Sequence, residues 1–396
     1  MTVPIQLIHQ SEELFKCAEK LQGAQQIAID LEFDKNFHRY GFNLCLVQIF
    51  DGNYCYLIDP LSNDLDIEIL FRVLENESIQ KVCFSFDEDL RLLHSLNCFP
   101  KNLYDLDIVS RLLNYPAMSL TNLLKETLDV EAVSSSQKSN WFNRPLSEKQ
   151  LAYAADDVLH LFKLKEIFDK KAESGEIKEW IREENQSLNE LDYSEINHNE
   201  IFKEKDKNLF SEHEWYVYKK LLLWRDEVAE KFNKPAFQIA DNNLMKTLAK
   251  NSGERIHWIS RRGVYKKLKT REVSDQIIKL LADARTEADD MGLSTEKPAK
   301  KQPDSTEYNQ MMAEKRRVNL LKDTFFKPVK EKIEEVHGKE FANYALSNRI
   351  ISDFITGSNG EIKSYKVHLI SQIANELNLD TQPLKDCLSL NGRTKS

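Results

Sequence analysis

Residues 27–33 read Ile27-Ala28-Ile29-Asp30-Leu31-Glu32-Phe33, and their alternation is that of a β-strand with two unlike faces. Ile29, Leu31 and Phe33 point to one side, Asp30 and Glu32 to the other, so two hard oxygen ligands project together. Taken alone, this alternation describes any strand with one wetted face. Working outward, 44-LCLVQIF-50 and 55-CYLID-59 flank the turn signal Asp51-Gly52-Asn53, and 81-KVCFSF-86 forms a short apolar strand. From there the pattern is mostly helical through Leu164. A hairpin joins antiparallel strands and helical crossovers join parallel ones, so residues 1–170 are expected to form one α/β domain with a mixed sheet.

Beyond it the chain changes character. Residues 171–211 are rich in Glu, Lys, Asn and Ser and are expected to be connector helix and linker beyond the end of the core. Residues 212–287 carry a helical apolar pattern that includes Leu221, Leu222, Trp224, Val228, Phe232, Ile239, Leu244 and Leu248, the signature of a small all-α lobe. A second linker over 288–309 contains Pro298 and Pro303, and residues 310–392 resume a helical pattern. No apolar run reaches the roughly 18 residues of a membrane span, and the start of the sequence lacks a secretory pattern. A cytoplasmic protein without membrane contact is expected. The six cysteines are scattered without a Cys-x-x-Cys pair, which argues against a zinc site or a disulfide framework.

The net charge of −9 seems to exclude a polyanionic partner, but its distribution does not. Between Glu212 and Arg285 there are 16 basic residues against 10 acidic ones, a net of +6. Arg255, Arg261, Arg262, Lys266, Lys267 and Lys269 cluster there with Trp258, a mixture suited to phosphate contacts and base stacking and equally to a solvated basic face.

Two further segments carry carboxylates. Asp87, Glu88 and Asp89 open a helix after the strand at 81–86, where acids favour the positive helix end and one could also reach Asp30; spacing does not select which. Ser147-Glu148-Lys149-Gln150 fits a helix-capping box, placing Tyr153 and Asp157 one turn apart on one face. Asp156 is also within one turn of Tyr153, so helix geometry leaves that choice open.

The whole constellation resembles the ribonuclease D family, the tyrosine-bearing DEDD group of 3′ to 5′ exonucleases. The residues that carry the resemblance are 28-AIDLEF-33, 81-KVCFSFDEDLRLL-93 and 150-QLAYAADDVLHL-161, with 105-DLDIVSRLL-113 and 141-WFNRPL-146 between them. It spans residues 1 to about 165 and implies an RNase H-like exonuclease domain followed by two all-α domains of HRDC type. Carried over position by position, it implies metal ligands at Asp30, Glu32, Asp89 and Asp157, with Tyr153 beside the attacking water. The family often has an Asp before the motif Trp, where this chain has Asn140. Residues 212–287 resemble an HRDC domain through Trp224-Arg225, Ala229, Pro235, Ile239, Asp241 and Leu244, and 342-ANYALSNRIISDFITG-357 resembles the divergent second helical lobe.

Four converging carboxylates repel one another unless cations neutralise them, so two divalent ions, Mg²⁺ or Mn²⁺, are expected as cofactors. Such ions suit phosphodiester hydrolysis; the resemblance implies that it acts at RNA 3′ ends, releasing nucleoside 5′-monophosphates, with structured RNA such as transfer RNA precursors as substrate, and the self-contained three-lobed layout suggests a monomer. The rivals are a DNA exonuclease of the same superfamily and a non-catalytic RNA-binding protein.

Overall fold

The computed structural model describes residues 3–131, 136–173, 175–194, 201–250, 257–297, 304–357 and 362–392. Six strands, β1 (Ile5–Ile8), β2 (Gln26–Lys35), β3 (Phe42–Phe50), β4 (Cys55–Ile58), β5 (Gln80–Cys83) and β6 (Leu103–Asp105), form one sheet in the order β1-β4-β3-β2-β5-β6. β2, β3 and β4 run antiparallel in sequence, while β5 and β6 continue parallel to β2 and β1 lies parallel to β4. The expected mixed sheet is thus present. Its central strand is the acid-bearing β2: Ile27, Ile29 and Leu31 enter one apolar cluster and Ala28 enters the other.

Helices cover both faces. α1 (Ser11–Leu21), α2 (Glu68–Leu74) and α3 (Asp87–Ser95) pack with Ile27 and Ile29. α4 (Leu106–Leu112), α5 (Leu120–Leu128), α6 (Glu148–Leu159) and α7 (Leu161–Lys171) pack with Ala28 and Leu46. The periodicity missed β1 and β6 because each is only three or four residues long, too short to establish alternation. The expected strand at 81–86 stops at Cys83. Ser85 turns the chain with a φ of 57°, and Asp105 accepts the backbone N–H groups of Ser85 and Phe86, both at 2.8 Å.

A helix is present in the stretch expected as connector helix and linker at 171–211, but the expectation that the core has ended there requires correction. α8 (Ile177–Asn189) buries Trp180, Ile181, Glu184, Asn185 and Leu188, and its polar face is deceptive because the buried amides bind backbone. Asn189 accepts from the Leu103 N–H at 2.8 Å and donates to the Leu103 carbonyl at 3.1 Å, while Asn185 accepts from the Asp105 N–H at 2.7 Å.

Next in the chain come α9 (Glu204–Lys207), α10 (Glu212–Lys231), α11 (Ala236–Ile239), α12 (Asn242–Lys250) and α13 (Arg271–Asp290), which enclose their own apolar cluster around Trp215, Leu221, Ile239 and Trp258. This first helical lobe meets the α/β domain at the β2–β3 loop, where the Tyr40 hydroxyl donates to Asp226 at 2.9 Å. The last segment comprises α14 (Ser305–Leu321), α15 (Lys327–His337), α16 (Lys339–Ala345), α17 (Asn348–Thr356), α18 (Ser364–Glu376) and α19 (Gln382–Gly392). α14 starts before the expected boundary at 310, since Asp304 and Glu307 form a capping box.

This second helical lobe shares an apolar cluster with α4, α6 and α7. Trp180 stacks on Tyr365 with centroids 5.5 Å apart and also meets Phe341 at 5.3 Å. Asn114 accepts from the backbone N–H groups of Glu340 and Phe341, at 2.8 and 3.1 Å. It fits only because Gly338, at φ +93°, has no Cβ, which would lie 2.1 Å from the amide nitrogen. Glu184 lies beneath, receiving the Tyr365 hydroxyl at 2.6 Å and pairing with Lys363 and with Lys366 at 3.1 Å. Burial would raise its pKa, but the two ammonium groups outweigh burial and hold the carboxyl below its usual value. All six cysteines are free and buried.

Replacing Glu184 by Ala leaves the buried Lys366 ammonium without its carboxylate, a loss of about 3–5 kcal/mol. Urea unfolding followed by fluorescence should read that loss, and hydrogen exchange in α18 should accelerate. An unchanged midpoint with unchanged exchange would remove the pair from the account of how this lobe is held.

Candidate active site

The acid-bearing face of β2 opens into a cleft of about 770 Å³ whose walls include Asp30, Glu32, Asp89, Tyr153 and Asp157. Parallel pairing of β2 with β5 ends at Ala28 and Val82, so Asp30 and Glu32 extend past the carboxyl end of β5, where α/β sheets commonly leave room for ligands. A register shift falls between Glu32 and Phe33, a local bulge of the kind that re-aims side chains beside sites. α3 begins at the end of β5 and brings Asp89 in from its first turn. α6 crosses the same face, with its start fixed by the expected capping box of Ser147 and Gln150.

Asp30, Glu32 and Asp157 each offer a carboxylate oxygen, and these oxygens lie within 4.8 Å of one another. Asp89 is buried in the cleft wall, and its Oδ1 has no protein partner. Such crowding is expressed as proton affinity. Burial, then the Asp89 charge, pushes Asp30 well above the carboxylate range. Burial followed by Asp30, Asp157 and Asp89 pushes Glu32 up to about 10, and burial first of all pushes Asp89 and Asp157 up to about 8. A buried carboxylate oxygen without a donor, within a group of acids that resist ionisation together, fits a divalent cation, whose charge would offset their repulsion. The cluster is therefore suited to divalent metal.

Two choices left open by spacing are separated by geometry. Asp87 turns outward to the Tyr193 hydroxyl and to Arg91 at 3.2 Å, while Asp89 faces inward. Asp156 pairs with His160 at 3.2 Å, while Asp157 faces the cleft beside the Tyr153 phenol, which favours its charged form. Burial and then the Asp157, Glu32 and Asp30 charges raise the phenol's pKa. The ring of Tyr153 packs against buried Trp141, with centroids 6.3 Å apart. Asn140, the departure from the family pattern, accepts the Phe142 N–H at 3.0 Å. Its side-chain oxygen makes a bond that an Asp would also make.

Sequence reasoning missed the supports. Asp105 anchors the entry to α3 and caps α4 through the Asp107 N–H, and Arg144 clamps Asp59 through Nη2 at 2.7 Å while donating to the Trp141 carbonyl. A carboxylate immediately before a helix was the available signal for Asp105; nothing local marks Arg144 and Asp59, which are far apart in the chain.

The basic cluster divides. Arg262, Lys266 and Lys267 are exposed, and Arg261 and Lys269 are half-buried. Trp258 is corrected: it is fully buried, donates from Nε1 to the Leu268 carbonyl at 2.8 Å and meets Trp224 edge-on. It is a core residue and cannot stack on a base. Arg255 lies outside the described residues.

Residues 5–173 match the family model described as 3′-5′ exonuclease. The chain is 27% identical over 247 residues to ribonuclease D of Bartonella henselae, covering 62% of this chain and 61% of that protein. It is 29% identical over 248 residues to ribonuclease D of Desulfotalea psychrophila, covering 61% and 66%. The aligned part thus spans less than two-thirds of the length of either relative. The crystal structure of Escherichia coli RNase D superposes with a TM-score of 0.64 at 20% identity, covering 95% of this chain and 99% of that one, a likeness of fold. Residues 5–173 of this chain thus match the 3′-5′ exonuclease family model, and the aligned part is similar in sequence to ribonuclease D.

Proposed function

We propose that the chain is a metal-dependent 3′ to 5′ exoribonuclease that releases nucleoside 5′-monophosphates from RNA, with transfer RNA precursors among its substrates. The observation that carries this reading is the convergence of Asp30, Glu32, Asp89 and Asp157 with Tyr153 in one cleft. In this reading Asp30, Glu32, Asp89 and Asp157 hold two divalent ions, Mg²⁺ or Mn²⁺. When bound, the ions supply charge neutralisation at the scissile phosphate and lower the pKa of the attacking water.

The protein's own groups do the rest. The Tyr153 phenol stays protonated at neutral pH, because its surroundings raise a pKa that already lies near 10. It lies beside Asp157 and keeps an oxygen lone pair for the water, so its role is to orient rather than to take the proton. Trp141 limits the movement of that ring. Arg262, Lys266 and Lys267 on the first helical lobe suit phosphates of the substrate body. Holding that body beside the cleft raises the local concentration of the 3′ end. A monomer in the cytoplasm completes the proposal.

Matched 5′-labelled RNA and DNA strands, incubated with Mg²⁺ or with EDTA, test this directly. Metal-dependent shortening of RNA from its 3′ end is expected, and Asp30→Ala or Asp157→Ala should lower the rate by about 10³-fold or more. Preferential loss of the DNA strand would point instead to a DNA exonuclease. Tyr153→Phe should lower kcat by about 10²-fold with KM little changed; a rise in KM alone would make the phenol a binding group.

The raised carboxyl pKa values also set a sign for stability. Acids whose folded pKa exceeds the unfolded one stabilise the metal-free protein below pH ~4, and that contribution declines as pH rises through the values near 8 and 10. Metal competes with those protons, so Mn²⁺ should raise Tm by several degrees at about pH 8.5 and much less at about pH 5.5. Glu32→Gln should raise the metal-free Tm at the higher pH and reduce the metal response. An equal Mn²⁺ effect at both pH values would contradict the assignment.

A further inference from the structure

The loop between β2 and β3 begins three residues after Glu32 and carries Phe37, one of the most exposed large apolar side chains, at 63%. Its backbone is held firmly. Buried Asp34 accepts the N–H groups of Phe37, His38 and Arg39 at 3.1, 2.9 and 3.2 Å, and the His38 ring stands edge-on to Phe37 at 4.8 Å. A water-facing ring presented on so well-braced a turn is pre-organised for a partner.

The first helical lobe adds a second ring. Gln238 donates to the Phe37 carbonyl at 3.4 Å, and its neighbour Phe237 is 49% exposed. α11, which carries both, is hydrogen-bonded to the basic segment: the Tyr265 N–H donates to the Ile239 carbonyl at 2.9 Å, and the Lys234 ammonium lies 5.2 Å from the centre of the Tyr265 ring. Lys266 and Lys267 follow directly, exposed and without ion pairs among the described residues. The exposed Arg39 guanidinium sits 4.0 Å over Phe142, next in sequence to the Trp141 that packs on Tyr153. Exposed aromatic rings thus share this region with cations: Arg39 follows Phe37 by two residues, and α11 is bonded to the segment that runs into Lys266 and Lys267.

We propose that Phe37 and Phe237 stack the bases of single-stranded RNA, and that Arg39 meets a phosphate of the same strand on its way to the acid cleft. This rests on the exoribonuclease reading and adds the route by which the substrate enters. Exposed rings interleaved with unpaired cations match a chain of stacked bases and phosphates, whereas an apolar protein surface would leave those cations uncompensated. The turn lies roughly 15 Å from the acids at about 3.3 Å per strand residue. A strand stacked at ~3.4 Å per nucleotide reaches it with roughly four or five nucleotides.

The test uses the full chain carrying Phe37→Ala, Phe237→Ala or both, with a trinucleotide and a longer unstructured RNA. Binding is read by fluorescence anisotropy in EDTA and hydrolysis in Mg²⁺. The double variant should bind the long RNA about 10-fold or more weakly, with its kcat and the trinucleotide rate unchanged, and Phe37→Tyr should restore affinity. Abasic sites at about the fourth to sixth nucleotide from the 3′ end should weaken wild-type binding and erase the difference between wild type and the double variant. Wild-type affinity in the double variant would overturn the proposal, as would an equal loss on the trinucleotide. RNA affinity left intact while a concentration-dependent dimer disappears would assign the rings to self-association instead. Because affinity is read in EDTA, a wild-type protein that binds but does not cleave RNA would defeat the exoribonuclease reading without obscuring this result.

Discussion

Mutual repulsion among four carboxylates is the constraint on which the rest of this structure depends. Left to themselves Asp30, Glu32, Asp89 and Asp157 would separate, and the fold prevents it by mounting them on elements that cannot move independently. β2 is hydrogen-bonded on both sides, by β3 and β5. α3 is fixed at its entry by Asp105, and α6 by its capping box. The stability given up by crowding these acids together is a common feature of sites whose chemistry needs a cation.

The central part of the fold was legible because its signals are local. Alternation in β2, the turn at Asp51-Gly52-Asn53 and the capping box at Ser147 each lie within a few residues, and each forms as expected. The burial of α8 was illegible for the opposite reason. Glu183, Glu184, Asn185 and Asn189 look like solvated polar residues, but their partners are at Ser364, Lys366, Asp105 and Leu103. Polar composition implies a linker only while those partners are unknown, and pairings across some 80 to 180 residues leave no periodic trace.

The candidate site divides along the same line. Strand periodicity brought Asp30 with Glu32, and helix periodicity set Tyr153 beside Asp156 or Asp157; Asp89 came from the family motif, because the contact that turns Asp87 outward is the Tyr193 hydroxyl more than 100 residues away. Trp258 shows the converse error. A tryptophan among arginines and lysines resembles a stacking platform, yet its indole N–H is satisfied within its own lobe and its ring fills the core there. Phe37 and Phe237, which composition did not single out, are exposed rings.

The side-chain amides of Asn185 and Asn189 have a consequence beyond holding α8. β6 is the outermost strand on its side of the sheet, and such a strand ordinarily offers a free ladder of N–H and C=O groups to any extended chain that drifts past. Here the helix supplies that ladder's partners from two consecutive turns, taking both groups of Leu103 and the N–H of Asp105. The sheet therefore ends in a helix that imitates a seventh strand while having no open edge of its own, and copies of the protein cannot add to one another along that border into a fibril.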